Sequence, residues 1–197
     1  MPPLRHSEAM NNVRDFLLDT QTVRYWHDGD CPQHSAVRGN VDMLRQLTAS
    51  LEVQPKLLVS VLTLGEIEFG HRVALSPDPV AQAAYIKFVK EELPEPFELS
   101  PDAAVAYGDL RTRLFNKFAP GDKRRPKMRP EQLVDPATAK ELQIQENDLW
   151  LCAQAVAHGM VLVTNDRMQS IRDIASGMDP PLILQNWTIQ NAVSITQ

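Results

Sequence analysis

Residues 148–166, DLWLCAQAVAHGMVLVTND, decide the fold. Asp148 opens an apolar helical stretch, His158-Gly159 has the character of a helix C-terminal stop, and residues 160–164 form an apolar strand leading to Asp166. A strand that is apolar at every position is buried on both faces, as in parallel sheets covered by helices. The alternation continues on both sides. A helix over about 168–175 and a strand at 182–184 follow, and the apolar run at 15–20, containing Phe16, Leu17 and Leu18, reads as another doubly buried strand. The expected class is α/β, a three-layer sandwich in which helices flank a short parallel sheet.

The intervening sequence fills in that frame. Val41, Leu44, Leu47 and Leu51 recur at helical intervals over about 37–51, Pro55 ends the helix, and residues 57–61 form a strand. Thr63 stands three positions before Glu66, the spacing of a capping box, which predicts a helix from there to about Leu75. Further helices are expected over about 80–93 and from Ser100-Pro101 to about Phe118, with a short strand at 97–99 between them. Residues 119–146 lose periodicity and read as an inserted loop with one helical turn around 137–142.

At 197 residues and 43% hydrophobic content the chain makes one domain with extensions. The boundaries expected are an N-terminal extension at 1–14, the domain at 15–187 with a basic insertion at about 119–146, and a C-terminal tail at 188–197. A net charge of -5 excludes nucleic-acid binding through overall charge, so any such binding must use a local patch. Cys31 and Cys152 are the two cysteines and imply no disulfide framework. Residues 1–12 lack an apolar signal core and no segment has the length of a membrane span, so a soluble protein of a reducing cytoplasm is expected.

Four acids are organised by this alternation. Crossover helices run opposite to parallel strands, so strand C-termini and helix N-termini share one edge of the sheet. Asp19 and Asp166 follow strands, while Glu66 and Asp148 lie in first turns of helices, which brings all four to that edge. Singly, each has an ordinary reading: Asp19 and Asp148 as helix N-caps, Glu66 as the partner of Thr63, Asp166 as a turn residue. Jointly, they would repel one another unless a cation compensates, and hard oxygen ligands suit Mg2+ or Mn2+.

These blocks resemble the PIN-domain family, most closely its toxin branch, the VapC-like ribonucleases of bacterial toxin–antitoxin pairs. Residues 16–20 (FLLDT) are similar to its opening strand and first acid, and 59–70 (VSVLTLGEIEFG) to its second block, with Glu66 at the acidic position and Gly70 at the glycine one turn later. Residues 146–155 (ENDLWLCAQA) resemble the third block and 161–166 (VLVTND) the fourth. The resemblance spans about 15–185 and implies a PIN-like sandwich and a divalent-metal endoribonuclease. Asp19 and Asp148 are then direct ligands, Glu66 a ligand or a base that orients water, and Asp166 a second-metal or water-mediated ligand, with Thr164 and Asn165 holding these carboxylates. RNA is the implied substrate, a cognate antitoxin the implied partner, and a homodimer a further expectation. Gln21 departs from the usual asparagine, and the insertion and tail lengthen the chain beyond typical toxins.

Other features carry weaker readings. Residues 116–130 hold Lys117, Lys123, Arg124, Arg125, Lys127 and Arg129 against Asp122, either a solvated loop or a contact for RNA backbone. His27, Cys31 and His34 fall in a turn without a second ligand pair, a poor zinc pattern. Arg111 and Arg113 read as an exposed helix face or as lining of a substrate groove. Phe16, Tyr25, Trp26, Tyr85 and Phe88 read as core, any exposed part being available to a partner. Competing functions are a phosphatase of the haloacid dehalogenase type, for which Gln21 occupies the place of the required second acid, a PIN-like nuclease acting on structured DNA or in RNA processing, and a non-catalytic binding module.

Overall fold

The computed structural model describes residues 13–195. Five strands, β1 (Phe16–Leu18), β2 (Leu57–Ser60), β3 (Pro96–Phe97), β4 (Val161–Val163) and β5 (Ile183–Gln185), form one sheet in the order β3-β2-β1-β4-β5, and every pairing is parallel. The helices are α1 (Thr20–His27), α2 (His34–Thr48), α3 (Val61–Val73), α4 (Pro79–Glu92), α5 (Pro101–Phe118), α6 (Glu146–Ala157) and α7 (Gln169–Ala175). The result is the α/β sandwich that doubly buried strands require. None of the described helices is long and apolar enough to cross a membrane.

Strand alternation divides the core into two layers. Phe16, Leu18, Val59, Val161 and Val163 face one side with Val23, Val37, Val41 and Leu44 of α1 and α2, and Tyr85 and Val89 of α4. Leu17, Leu58 and Leu162 face the other, against Leu110 and Leu114 of α5, Leu149 and Cys152 of α6, and Ile171 of α7. Phe16, Trp26 and Tyr85 are buried, as their reading as core requires.

Several boundaries move, each for a local reason. The capping box expected at Thr63 is absent: α3 begins two residues earlier because Ser60 accepts the Leu62 amide at 3.1 Å, and the buried Thr63 hydroxyl has no partner. Helix α6 begins at Glu146, and Asp148 sits at its third position, accepting the Gln145 amide at 2.9 Å. The turn expected as helical around 137–142 instead closes a bridge between Val134 and Glu141, with Asp135 accepting the Ala137 amide.

The insertion is anchored. Leu133 and Ile144 are buried in the α5/α6 layer, Arg111 donates to the Met128 carbonyl at 2.8 Å, and Glu131 accepts the Glu146 amide at 2.8 Å. Residues after Trp187 are also stitched down. Buried Asn40 donates to the carbonyls of Trp187 and Ile189 and accepts the amides of Ala192 and Val193, while Gln185 donates to the Ser194 carbonyl. Residues 1–12 of the expected N-terminal extension and residues 196–197 of the tail lie outside the described residues.

Candidate active site

The strand register sets the site. Leu18 aligns with Val59 on one side and Val163 on the other, so Asp19, Ser60 and Thr164 follow three adjacent strands at the same level. From β1 the chain proceeds to β2 and β3 on one side, and from β4 to β5 on the other, which makes the β1/β4 boundary a topological switch point. Clefts in open parallel sheets form at such points, outside the strand C-termini. Here the Asp19 amide donates to the Val163 carbonyl at 3.1 Å, and the Thr22 hydroxyl donates to the same carbonyl at 3.1 Å.

Asp19, Glu66, Asp148 and Asp166 all line one cleft of about 450 Å³ at this edge, together with Gln21 and Thr164. Ordinary capping roles coexist with that convergence. Asp19 caps α1, accepting the Thr22 amide at 2.6 Å, and Asp166 accepts the Met168 amide at 3.1 Å. Glu66 is held from two sides, by the Asn147 amide at 2.6 Å and by the Thr20 hydroxyl. Thr164 accepts the Asp166 amide at 3.0 Å and also hydrogen-bonds to Asp19. The Asn165 amide donates to the Tyr25 hydroxyl at 3.3 Å rather than to a carboxylate. Gln143 and Met168, which flank the cleft, adopt left-handed backbone conformations, a cost that non-glycine residues bear most often near functional sites.

The acids sense one another. Burial raises the pKa of Asp19, hydrogen bonds from Thr164 and Thr22 oppose the shift, and Asp166 adds to it. Burial pushes Asp148 up to about 6, against the Gln145 hydrogen bond and with the charges of Asp166, Glu66 and Asp19 contributing. None of the ion pairs among the described residues involves any of the four, so no lysine or arginine offsets them.

The donor set fits a hard divalent cation by chemistry and by charge. As placed, however, no three His, Cys, Asp or Glu side chains among the described residues form a group that could hold a metal ion. Each carboxylate turns an oxygen to a nearby donor, and Oδ1 of Asp148 and Oδ2 of Asp166 make no hydrogen bond among the described residues. The turn carrying His27, Cys31 and His34 holds no such group either; His34 contacts the Tyr25 carbonyl and Cys31 donates to Gln33.

Thr20 and Asn147 are supporting residues that spacing did not single out, although each adjoins an acid in its motif. A second support lies behind α6. Arg111 of α5 pairs with Glu146 at 2.8 Å and hydrogen-bonds to the Tyr107 hydroxyl, and Tyr107 stacks on Trp150 with ring centroids 3.9 Å apart. Arg111 is thus a clamp on the helix that bears Asn147 and Asp148, not part of a free face. The basic segment does not line the acid cleft. Lys123 and Arg125 border a separate cavity with Arg111, Lys117 pairs with Asp173, Arg124 pairs with Asp122, and Arg125 donates to Asn116.

No family model and no curated protein matches the chain. Among solved structures, the chain resembles VapBC2 from Rickettsia felis bound to a DNA fragment from their promoter, at 20% identity and a TM-score of 0.57, covering 87% of this chain and 98% of that one. DNA-bound VapBC from Salmonella typhimurium is similar at 20% identity and a TM-score of 0.52, covering 88% and 98%. FitAcB from Neisseria gonorrhoeae matches at 14% and 0.52, covering 86% and 95%. The architecture is therefore that of a PIN-type α/β domain. Within that class, its fold is the one shared with these VapBC and FitAcB structures.

Proposed function

We propose that the protein is a divalent-metal-dependent endoribonuclease of the VapC-like toxin type, hydrolysing RNA phosphodiester bonds in the cytoplasm and held in check by a cognate antitoxin. One observation carries this reading. Four acids from four separate segments line one cleft at the switch point, repel one another, and have no basic side chain paired with them among the described residues. A purely structural scaffold would be relieved of that repulsion by losing an acid. The likeness of fold to VapBC complexes supports the toxin assignment and the expectation of a protein partner.

Asp19 and Asp148 are the residues that would hold Mg2+ or Mn2+ directly, with Glu66 and Asp166 completing the set. When bound, the ion supplies a Lewis acid for the phosphate and lowers the pKa of its water. The chain itself fixes the carboxylates. Thr22 and Thr164 orient Asp19, and Thr20 and Asn147 hold Glu66 so that its carboxylate is available to orient a water. Lys123 and Lys127, whose side chains form no hydrogen bond or ion pair among the described residues, are proposed to meet RNA backbone beyond the cleft.

The test is cleavage of end-labelled single-stranded RNA under Mg2+, Mn2+ and chelator, with Asp19→Asn purified in parallel. Metal-dependent cleavage by wild type alone is expected. Equal cleavage by the folded variant would mark a contaminating nuclease and remove the assignment, and cleavage of flap DNA in preference to RNA would move it to structured DNA.

A further inference from the structure

Beside the acid cleft lies a second cavity of about 640 Å³, and Thr20, Gln21 and Glu66 border both. The remainder of this second cavity has a different chemistry. His27, at the end of α1, stands edge-on to Tyr85 of α4 with ring centroids 4.7 Å apart, and His71 of α3 lies 5.6 Å from the same ring. Burial lowers the pKa of His27, Asp28 opposes the shift, and His71 and His34 add to it, so the ring is neutral at neutral pH.

Two polar groups bordering the cavity lack partners. Tyr85 is 6% exposed, and its buried hydroxyl makes no hydrogen bond. Such a group is a net cost to the fold, and it acquires a use if a ligand completes it. Arg24 also lines the cavity, and its guanidinium forms no hydrogen bond or ion pair among the described residues. Aromatic rings, an unmatched hydroxyl, a free guanidinium and a shared border with a phosphodiester-cleaving cleft together describe a nucleotide: a flat base, a hydrogen-bonding edge and an adjoining phosphate.

We propose that this cavity is a substrate subsite for the nucleotide next to the scissile phosphate, with its base resting against the cavity wall formed by His27, His71 and Tyr85, a hydrogen bond to the Tyr85 hydroxyl, and Arg24 on the neighbouring phosphate. The subsite rests on the nuclease reading given above. It also assigns a direction, since the strand must leave the acids on the α1/α3 side. Tyr85→Phe isolates the hydroxyl while keeping the ring.

The experiment measures steady-state cleavage of a single-stranded oligoribonucleotide in Mn2+ by wild type, Tyr85→Phe and Arg24→Gln, together with thermal unfolding of each. Once the cleaved bond is mapped, the same oligonucleotide is made with an abasic residue on either side of it. Tyr85→Phe is expected to raise KM roughly five- to tenfold, the worth of one lost hydrogen bond, and by more than it lowers kcat. Its unfolding midpoint stays the same or rises, because no internal bond is lost, whereas a structural role for the hydroxyl would lower it. One of the two abasic substitutions should raise KM in wild type and have a smaller effect in Tyr85→Phe. If wild type cleaves RNA but KM is unchanged in Tyr85→Phe, or both abasic penalties persist undiminished, the subsite is wrong and the nuclease reading stands. If Tyr85→Phe weakens only the binding of a protein partner, the cavity belongs to that partner and the subsite is overturned. If wild type cleaves no RNA, the nuclease reading fails and takes the subsite with it.

Discussion

Asn147 of α6 donates its side-chain amide to Oε1 of Glu66 on α3 across 2.6 Å, and this bond ties together the two helices that present Glu66 and Asp148. The sheet alone does not fix the separation of those helices, because α3 follows β2 and α6 precedes β4, on opposite sides of β1. Asn147 is a positioning residue in this arrangement. Removing it with Asn147→Ala is expected to lower RNA cleavage roughly 10- to 100-fold, the range for outer groups that orient metal ligands. The unfolding midpoint should barely move, since the pair is only partly buried. Comparing activity with thermal unfolding separates the two effects.

Asp148 gives stability a particular pH dependence. Its folded pKa of about 6 lies above the ordinary 3.8, so between those values the folded state binds more protons than the unfolded state. The penalty for its charge is fully present above pH 6 and largely disappears as pH falls toward 4. Asp148→Asn is therefore expected to stabilise the metal-free protein by on the order of 2 kcal/mol at pH 7.5 and by only about 0.5 kcal/mol near pH 4. Urea denaturation at the two pH values in chelator checks this; equal effects at both would mean that the charge is not the cause.

If the four acids hold a divalent cation as proposed, protons compete with it for the same carboxylates, and Mn2+ should raise the unfolding midpoint of wild type more at pH 7.5 than at pH 5. At a hundredfold excess over Kd the stabilisation is ~2.7 kcal/mol. Asp19→Asn should lose most of it. A shift of equal size in wild type and Asp19→Asn would place the ion elsewhere.

Arg111 reaches Glu146, Tyr107 and the Met128 carbonyl at once, so it braces the start of α6 against both α5 and the insertion. Arg111→Ala is expected to cost on the order of 1–2 kcal/mol, moderated by partial exposure, and to reduce cleavage with it. Arg111→Lys should recover little, since an ammonium group cannot span the same partners. Denaturant titration beside single-turnover cleavage measures both.

Lys123 and Lys127 offer a separate test of the basic segment. Reversing both to Glu should weaken single-stranded RNA binding and flatten its salt dependence by about 0.7 per lost phosphate contact. Fluorescence anisotropy at 50 to 300 mM salt reads the slope, where ~50 and ~300 mM simply bracket a Debye length near 10 Å. An unchanged slope assigns the segment to solvent.

The fold was legible because its strands are unambiguous. Leu17, Leu58 and Leu162 face one layer and their neighbours the other, and only a doubly covered parallel sheet makes a continuous apolar run of this kind stable. Convergence of the four acids followed from topology in the same way. What pattern reading could not supply were side-chain partners formed across long sequence distance. Thr63 matched the spacing of a cap, yet Ser60 performs that role; Glu66 instead meets Asn147, and Arg111 meets Glu146. Asn40 shows the same limit, a polar helix residue whose five hydrogen bonds include four to residues after 186.

The central place of β1 in the sheet has a consequence for how the molecule is made. Its first partner, β2, emerges from the ribosome soon after it, but its other edge waits for Val161–Val163, more than 140 residues later. Contacts of such long range form late and slowly. A nascent chain that stops short of β4 leaves one edge of its central strand unpaired and lacks Asp166, so the acid cleft is assembled only when nearly the whole chain has been made.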